Sequence, residues 1–177
     1  MTQVARSSSW ERAEAIGADP MLLLRKSRPN ETDGLQAIEA AVCENLRALG
    51  LHVRSKRFRC GFCEVVASSS PRLITTPDGE LASGIMLLLA QKYDPPLVVF
   101  EEINSLRRGL GRAMVAAALD GVSVHPGVFR HVRVNDLSPF QRDGRRWWEN
   151  VADLHPSFEW IITHEGDGAH DSGAAQT

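Results

Sequence analysis

Tyrosine occurs once in 177 residues, at Tyr93, and cysteine three times, at Cys43, Cys60 and Cys63. Three cysteines are too few for a disulfide framework and fit a reducing compartment. Cys60-Gly61-Phe62-Cys63 has the spacing of half a redox or zinc site, but a structural zinc takes four ligands and no second pair is present. The thiols are therefore read as small packed groups, and no metal is expected. Long hydrophobic runs are also missing: Ile85 to Ala90 is far too short to cross a bilayer. Met1 to Asp19 is polar and charged, and Met21 to Leu24 adds only four apolar residues, so no signal sequence is expected either. Charge of one sign is lacking too. Lysine and arginine total 20 against 22 aspartates and glutamates, a net charge of −2, so no global field draws nucleic acid or an anionic membrane, and any basic site must be local. The expectation is a cytoplasmic protein with no membrane partner.

What is present is an ordinary globular composition, 43% hydrophobic and 24% charged, in a chain long enough for one domain with a substantial core. Residues 1–20 read as an N-terminal arm, either a loosely packed helix or a partly disordered segment. Residues 21–164 read as a single domain, and the Gly-, Ala-, Asp- and Ser-rich stretch 165–177 as a disordered tail.

Within the domain a first short strand is expected near Met21 to Leu24. An amphipathic helix follows, capped by Thr32 or Asp33, with Leu35, Ile38, Val42, Leu46 and Leu49 on one face and Gly50 as its stop. Leu51 to Arg59 reads as a basic strand carrying Arg54, Lys56, Arg57 and Arg59; such an edge is usually solvated surface, with contact to nucleic acid or an acidic partner as the alternative. Phe62 to Ala67 is a further strand. Residues 71–76 and 81–89 flank Pro77-Asp78-Gly79-Glu80 as a hairpin, because glycine takes the positive φ such a turn needs. Gly84 marks a bulge or close backbone approach.

The stretch that carries chemistry is Arg107-Arg108-Gly109-Leu110-Gly111-Arg112-Ala113, between a strand-like run, Leu97 to Ile103, and a helix-like run, Ala113 to Leu119. Glycines at 109 and 111 allow a tight turn and let a ligand approach the backbone. The first N–H groups of a helix lack internal partners and sit at the positive end of its dipole, so an anion is favoured there. The three arginines add full charges, and together these features suit a phosphate. A turn region from Gly121 to Gly127, a strand from Phe129 to Val134, a helix from about Asp143 to Val151 and a last strand from Phe158 to Thr163 complete the domain.

The order of these elements, the 73–85 hairpin, the Arg107–Met114 turn and helix, and Ser138-Pro139 followed by Gly144-Arg145-Arg146-Trp147-Trp148-Glu149 resemble the GNAT superfamily of N-acetyltransferases over about residues 71 to 163. The resemblance implies an α/β fold with a mixed, mostly antiparallel central sheet flanked by helices and splayed at the cofactor strand. It implies acetyl-CoA or another acyl-CoA as cofactor, and a small-molecule or protein amine as acceptor. Arg107, Arg108, Gly109, Leu110, Gly111 and Arg112 would hold the diphosphate, and Phe100 to Asn104, Ile103 included, would lie along the pantetheine arm. A strand N–H would polarise the acyl carbonyl, Glu101 or Glu102 would take the amine proton, and Trp147 and Trp148 would wall the acceptor pocket. Strand alternation would send Glu101 and Glu102 to opposite faces. The sequence departs from the family in two places: Leu106 stands where members usually carry Gln or Arg, and Trp147-Trp148 replaces an aromatic pair that often contains an acidic tyrosine. A GNAT-shaped binding protein that uses the basic strand is the alternative reading.

Overall fold

The computed structural model describes residues 23–24, 31–58, 61–71, 82–136 and 144–164. The arm, the tail, Cys60, the Asp78-Gly79 turn and Ser138-Pro139 lie outside the described residues. In chain order the elements are β1 (Leu23–Leu24), α1 (Glu31–Ala48), β2 (His52–Arg57), β3 (Phe62–Ser68), β4 (Gly84–Ala90), β5 (Tyr93–Asp94), β6 (Leu97–Asn104), α2 (Leu110–Val122), β7 (His131–Asp136), α3 (Trp147–Leu154) and β8 (Glu159–His164).

The chain is α/β, and its main sheet has six strands in the order β2-β3-β4-β6-β7-β8. Pairing is antiparallel from β2 to β6 and parallel from β6 to β8. The parallel pairs follow from connectivity: α2 and α3 return the chain to the same end of the sheet each time, as parallel strands require. A two-stranded ladder joins β1 to β5.

One cluster gathers the apolar stripes of α1 and α2, with Trp148 and Val151 of α3, against one face of the sheet. Leu35, Ile38, Val42 and Leu46 are its α1 members, as the helical spacing implies. Phe62, Leu88, Tyr93, Leu97 and Val99 form a second cluster, built from strand positions of opposite parity and therefore on the other face.

Helix α1 starts at Glu31, so Thr32 and Asp33 lie inside its first turn rather than capping it. It stops as expected: the Gly50 N–H donates to the Arg47 carbonyl at 2.8 Å, and Gly50 has φ +80°.

Three further expectations are corrected. Residues 84–89 do not form a hairpin with 71–76, because β4 is paired along its whole length with β3 on one side and β6 on the other. The irregularity in that ladder is not at Gly84 but lies between Met86 and Leu87, which pair with Glu102 and Phe100 and leave Glu101 as an extra residue. Gly121 does not open a turn; it is buried inside α2. A Cβ there would stand 2.6 Å from the backbone of Val42, so the missing side chain sets how closely α1 and α2 approach.

Candidate functional site

The two central parallel strands part company partway along. Strand β6 pairs with β7 from Leu97↔His131 to Phe100↔Val134 and no further, although β6 runs on to Asn104 and β7 to Asp136. From Glu102 onward the β7-facing side of β6 has no ladder partner among the described residues, while its other side stays paired to β4 through Asn104. A cleft of about 780 Å³ opens in this gap.

The residues singled out in the sequence come to its walls from three places. Strand β6 contributes Phe100, Glu101, Glu102 and Ile103; the turn contributes Arg107, Arg108, Gly109, Gly111 and Arg112; the start of α3 contributes Trp147 and Trp148. Eleven of the residues singled out in the sequence therefore converge on one space. Leu110 is the exception: its side chain packs against the core.

The turn has the geometry that favours an anion at a helix start. Gly109 is the N-cap of α2 with φ 83° and ψ −20°, a left-handed conformation that glycine adopts without steric cost, and the first turn carries no acidic residue. The Leu110 N–H donates to the Arg107 carbonyl at 3.2 Å and the Ala113 N–H to the Gly109 carbonyl at 3.0 Å. Between them the N–H groups of Gly111 and Arg112 take no acceptor among the described residues. Arg107, Arg108 and Arg112 are exposed and make no ion pair with a described residue. Free amides, free guanidinium groups and the positive end of a helix thus face the same space.

The carboxylates sit at the bulge. Glu102 is exposed and pairs in register with Met86, whereas Glu101 is the inserted, half-buried residue. The alternation expected to separate the two side chains is interrupted between them. Both line the cleft.

The tryptophans divide their work. Trp148 is buried and lies against Phe100, Trp147 and Trp160 with ring centroids 5.4, 4.7 and 6.1 Å away. Trp147 is half-buried and leans on Gly111 at the cleft wall. The first turn of α3 is fixed by a capping box in which Glu149 Oε2 accepts the Arg146 N–H at 3.1 Å.

Sequence reasoning missed Ser105, Leu106, Val134 and Asn135, which also line the cleft. Val134 and Asn135 face it because β7 lies beside β6, a long-range pairing with no local signature. Tyr93 takes no part, being buried against Phe62 at the opposite end of β6. None of the described histidines lines the cleft; His131 instead meets Glu159 at 3.0 Å, and His164 lies 3.5 Å from Asp136.

The other two sequence features separate from the cleft. Cys43 and Cys63 are free and buried. Burial pushes the Cys63 thiol up to about 12, with the nearby Glu39 charge adding to it, and burial also raises Cys43. Among the described residues no group of His, Cys, Asp or Glu could hold a metal ion.

The basic strand is divided. Arg57 is ion-paired with Glu39, Arg54 Nη2 donates to the Pro71 carbonyl at 3.2 Å, and the Lys56 ammonium lies 4.8 Å from the Phe58 ring centre. Arg59 lies outside the described residues. Alternation puts Arg54 and Lys56 on one face and Arg57 on the other. Among the described residues no helix is long and apolar enough to cross a membrane.

No family model matches the chain, and neither a curated protein nor a solved structure matches it.

Proposed function

We propose that the protein is a GNAT-like, acyl-CoA-dependent N-acyltransferase, most simply an N-acetyltransferase, that moves an acyl group directly to an amine. One observation carries this reading: the gap between β6 and β7 runs into the glycine turn, so an unpaired strand edge and an anion site line one cleft. A CoA ester has that two-part chemistry, a diphosphate joined to an extended arm with two amides.

The residues fit the group. Gly111 and Arg112 N–H with the Arg107, Arg108 and Arg112 guanidinium groups would hold the diphosphate. The backbone of Phe100 to Asn104, Ile103 included, would take the pantetheine amides as a missing strand would. When bound, the thioester supplies an electrophilic carbonyl. A strand N–H of β6 polarises its oxygen. The acceptor would enter as an ammonium; Glu101 or Glu102 would take one proton to free the nitrogen lone pair, the nitrogen would bond to the carbonyl carbon, and its second proton would pass to solvent as the carbon–sulfur bond breaks. The leaving thiolate would need its proton from solvent or another group, because Trp147 and Trp148 carry no acidic O–H and Tyr93 is buried elsewhere.

Release of CoA thiol from acetyl-CoA, followed with a panel of primary amines, tests the reading. Amine-dependent thiol release supports it; its absence with every amine, together with no CoA binding, removes it.

A further inference from the structure

The linker between β6 and the glycine turn is short and exposed: Ser105, Leu106, Arg107, Arg108 and Gly109 are all solvent-facing, and Leu106 is 60% exposed. Side-chain burial therefore does little to hold it, and hydrogen bonds must. Ser105 Oγ donates to the Arg107 carbonyl at 2.6 Å, a bond internal to the linker. The Leu106 N–H leaves the linker and donates to Ser83 Oγ at 2.9 Å.

Ser83 is built to receive it. The residue is 3% exposed. Its own N–H donates to Ser69 Oγ at 3.1 Å, and its carbonyl accepts the Ser69 N–H at 2.8 Å. Beside it Asn104 Nδ2 donates to the Ala82 carbonyl at 3.0 Å. Ser69 and Ser83 continue the β3–β4 ladder one step past its last registered pair, Ser68↔Gly84. This locks the Ser83 backbone, so its hydroxyl is a fixed acceptor.

We infer that Ser83, which lies outside the cleft, is the positioning residue of the anion turn. Through Leu106 it ties the turn to the ends of β3 and β4 and so holds the Gly111 and Arg112 amides where a phosphate meets them. The inference rests on the cleft being the acyl-CoA site. It extends that reading to a residue no motif marks, and it links the connection between β3 and β4 to cofactor affinity.

Ser83→Ala isolates the claim, because it deletes the hydroxyl while leaving both main-chain bonds to Ser69. Two measurements apply: amide hydrogen exchange of the unliganded protein by NMR, and calorimetric titration with CoA. The expected result is exchange roughly tenfold faster at Leu106, spreading through Gly109 to Ala113, with α1 and β4 unchanged and CoA affinity down roughly tenfold. Ser69→Ala, which removes the acceptor of the Ser83 N–H, should give a weaker form of the same pattern. Acceleration confined to Leu106 with CoA affinity intact overturns the proposal, and so does uniform acceleration across the fold. If the unaltered protein binds no CoA, the acyltransferase reading fails; the tether is then judged on exchange alone, by whether the acceleration spreads to Ala113 or stops at Leu106.

Discussion

Gly111 and Trp147 are neighbours on the cleft wall: a Cβ at position 111 would lie 3.4 Å from Cζ2 of the indole. A methyl group there would be an ordinary neighbour. Any longer side chain must push the indole aside or enter the cleft, so this glycine is kept by the shape of the site as much as by the turn.

Two adjacent tryptophans should respond differently to truncation. Trp148 is buried among Phe100, Trp147 and Trp160, so Trp148→Ala is expected to cost about 3–5 kcal/mol in denaturant unfolding. Trp147 is half-buried on the cleft wall, so Trp147→Ala should cost distinctly less while altering ligand affinity. Equal stability losses with no change in binding would reassign Trp147 to the core.

The arginines should act as charges. None of Arg107, Arg108 and Arg112 pairs with a described carboxylate, so replacing Arg108 and Arg112 together by glutamine should leave stability nearly unchanged. CoA affinity should fall roughly tenfold or more, since a hydrogen bond to a charged group contributes about 1.5–3 kcal/mol. Affinity of the unaltered protein should also weaken as salt rises. A salt-independent affinity, unchanged in the double variant, would move the diphosphate elsewhere.

Glu101 and Glu102 are neighbours at the bulge, and the proposed role of one or the other is proton transfer rather than cofactor binding. Glu101→Gln or Glu102→Gln should lower turnover by roughly 10²–10⁴-fold with CoA affinity unchanged. Normal turnover in both variants would show that another group accepts the proton.

The thiols supply a control on the packing. With Cys63 pushed up to about 12 by burial, almost none of it is thiolate at pH 8, and burial also lowers the thiolate fraction of Cys43 below that of an exposed thiol. Neither peptide should be alkylated by iodoacetamide in the native protein, and both should be in denaturant. Rapid native labelling at Cys63 would contradict the fold around β3.

Local patterns were legible in the sequence, and long-range pairings were not. The α1 stripe, the strand at Leu97 and the glycine turn announce themselves through spacing and residue type, and eleven of the residues they suggested line one cleft. The Asp78-Gly79 motif misled for β4, because a turn signal says nothing of which strands lie beside residues 84–89, and these are β3 and β6. Gly121 looked like the start of a turn because glycine is common in turns; its reason is the backbone of Val42, a long way off in the chain. Ser83 carries no signal at all, since its role depends on Ser69 and Leu106 arriving from different strands.

The most direct test is calorimetric titration of acetyl-CoA into the protein and into Gly111→Glu, with circular dichroism to confirm that both are folded. Saturable binding that the glutamate abolishes, by placing a negative side chain where the phosphates would sit, is the predicted result. Folded protein that binds no acetyl-CoA, or binds it equally well with glutamate at 111, would contradict the account.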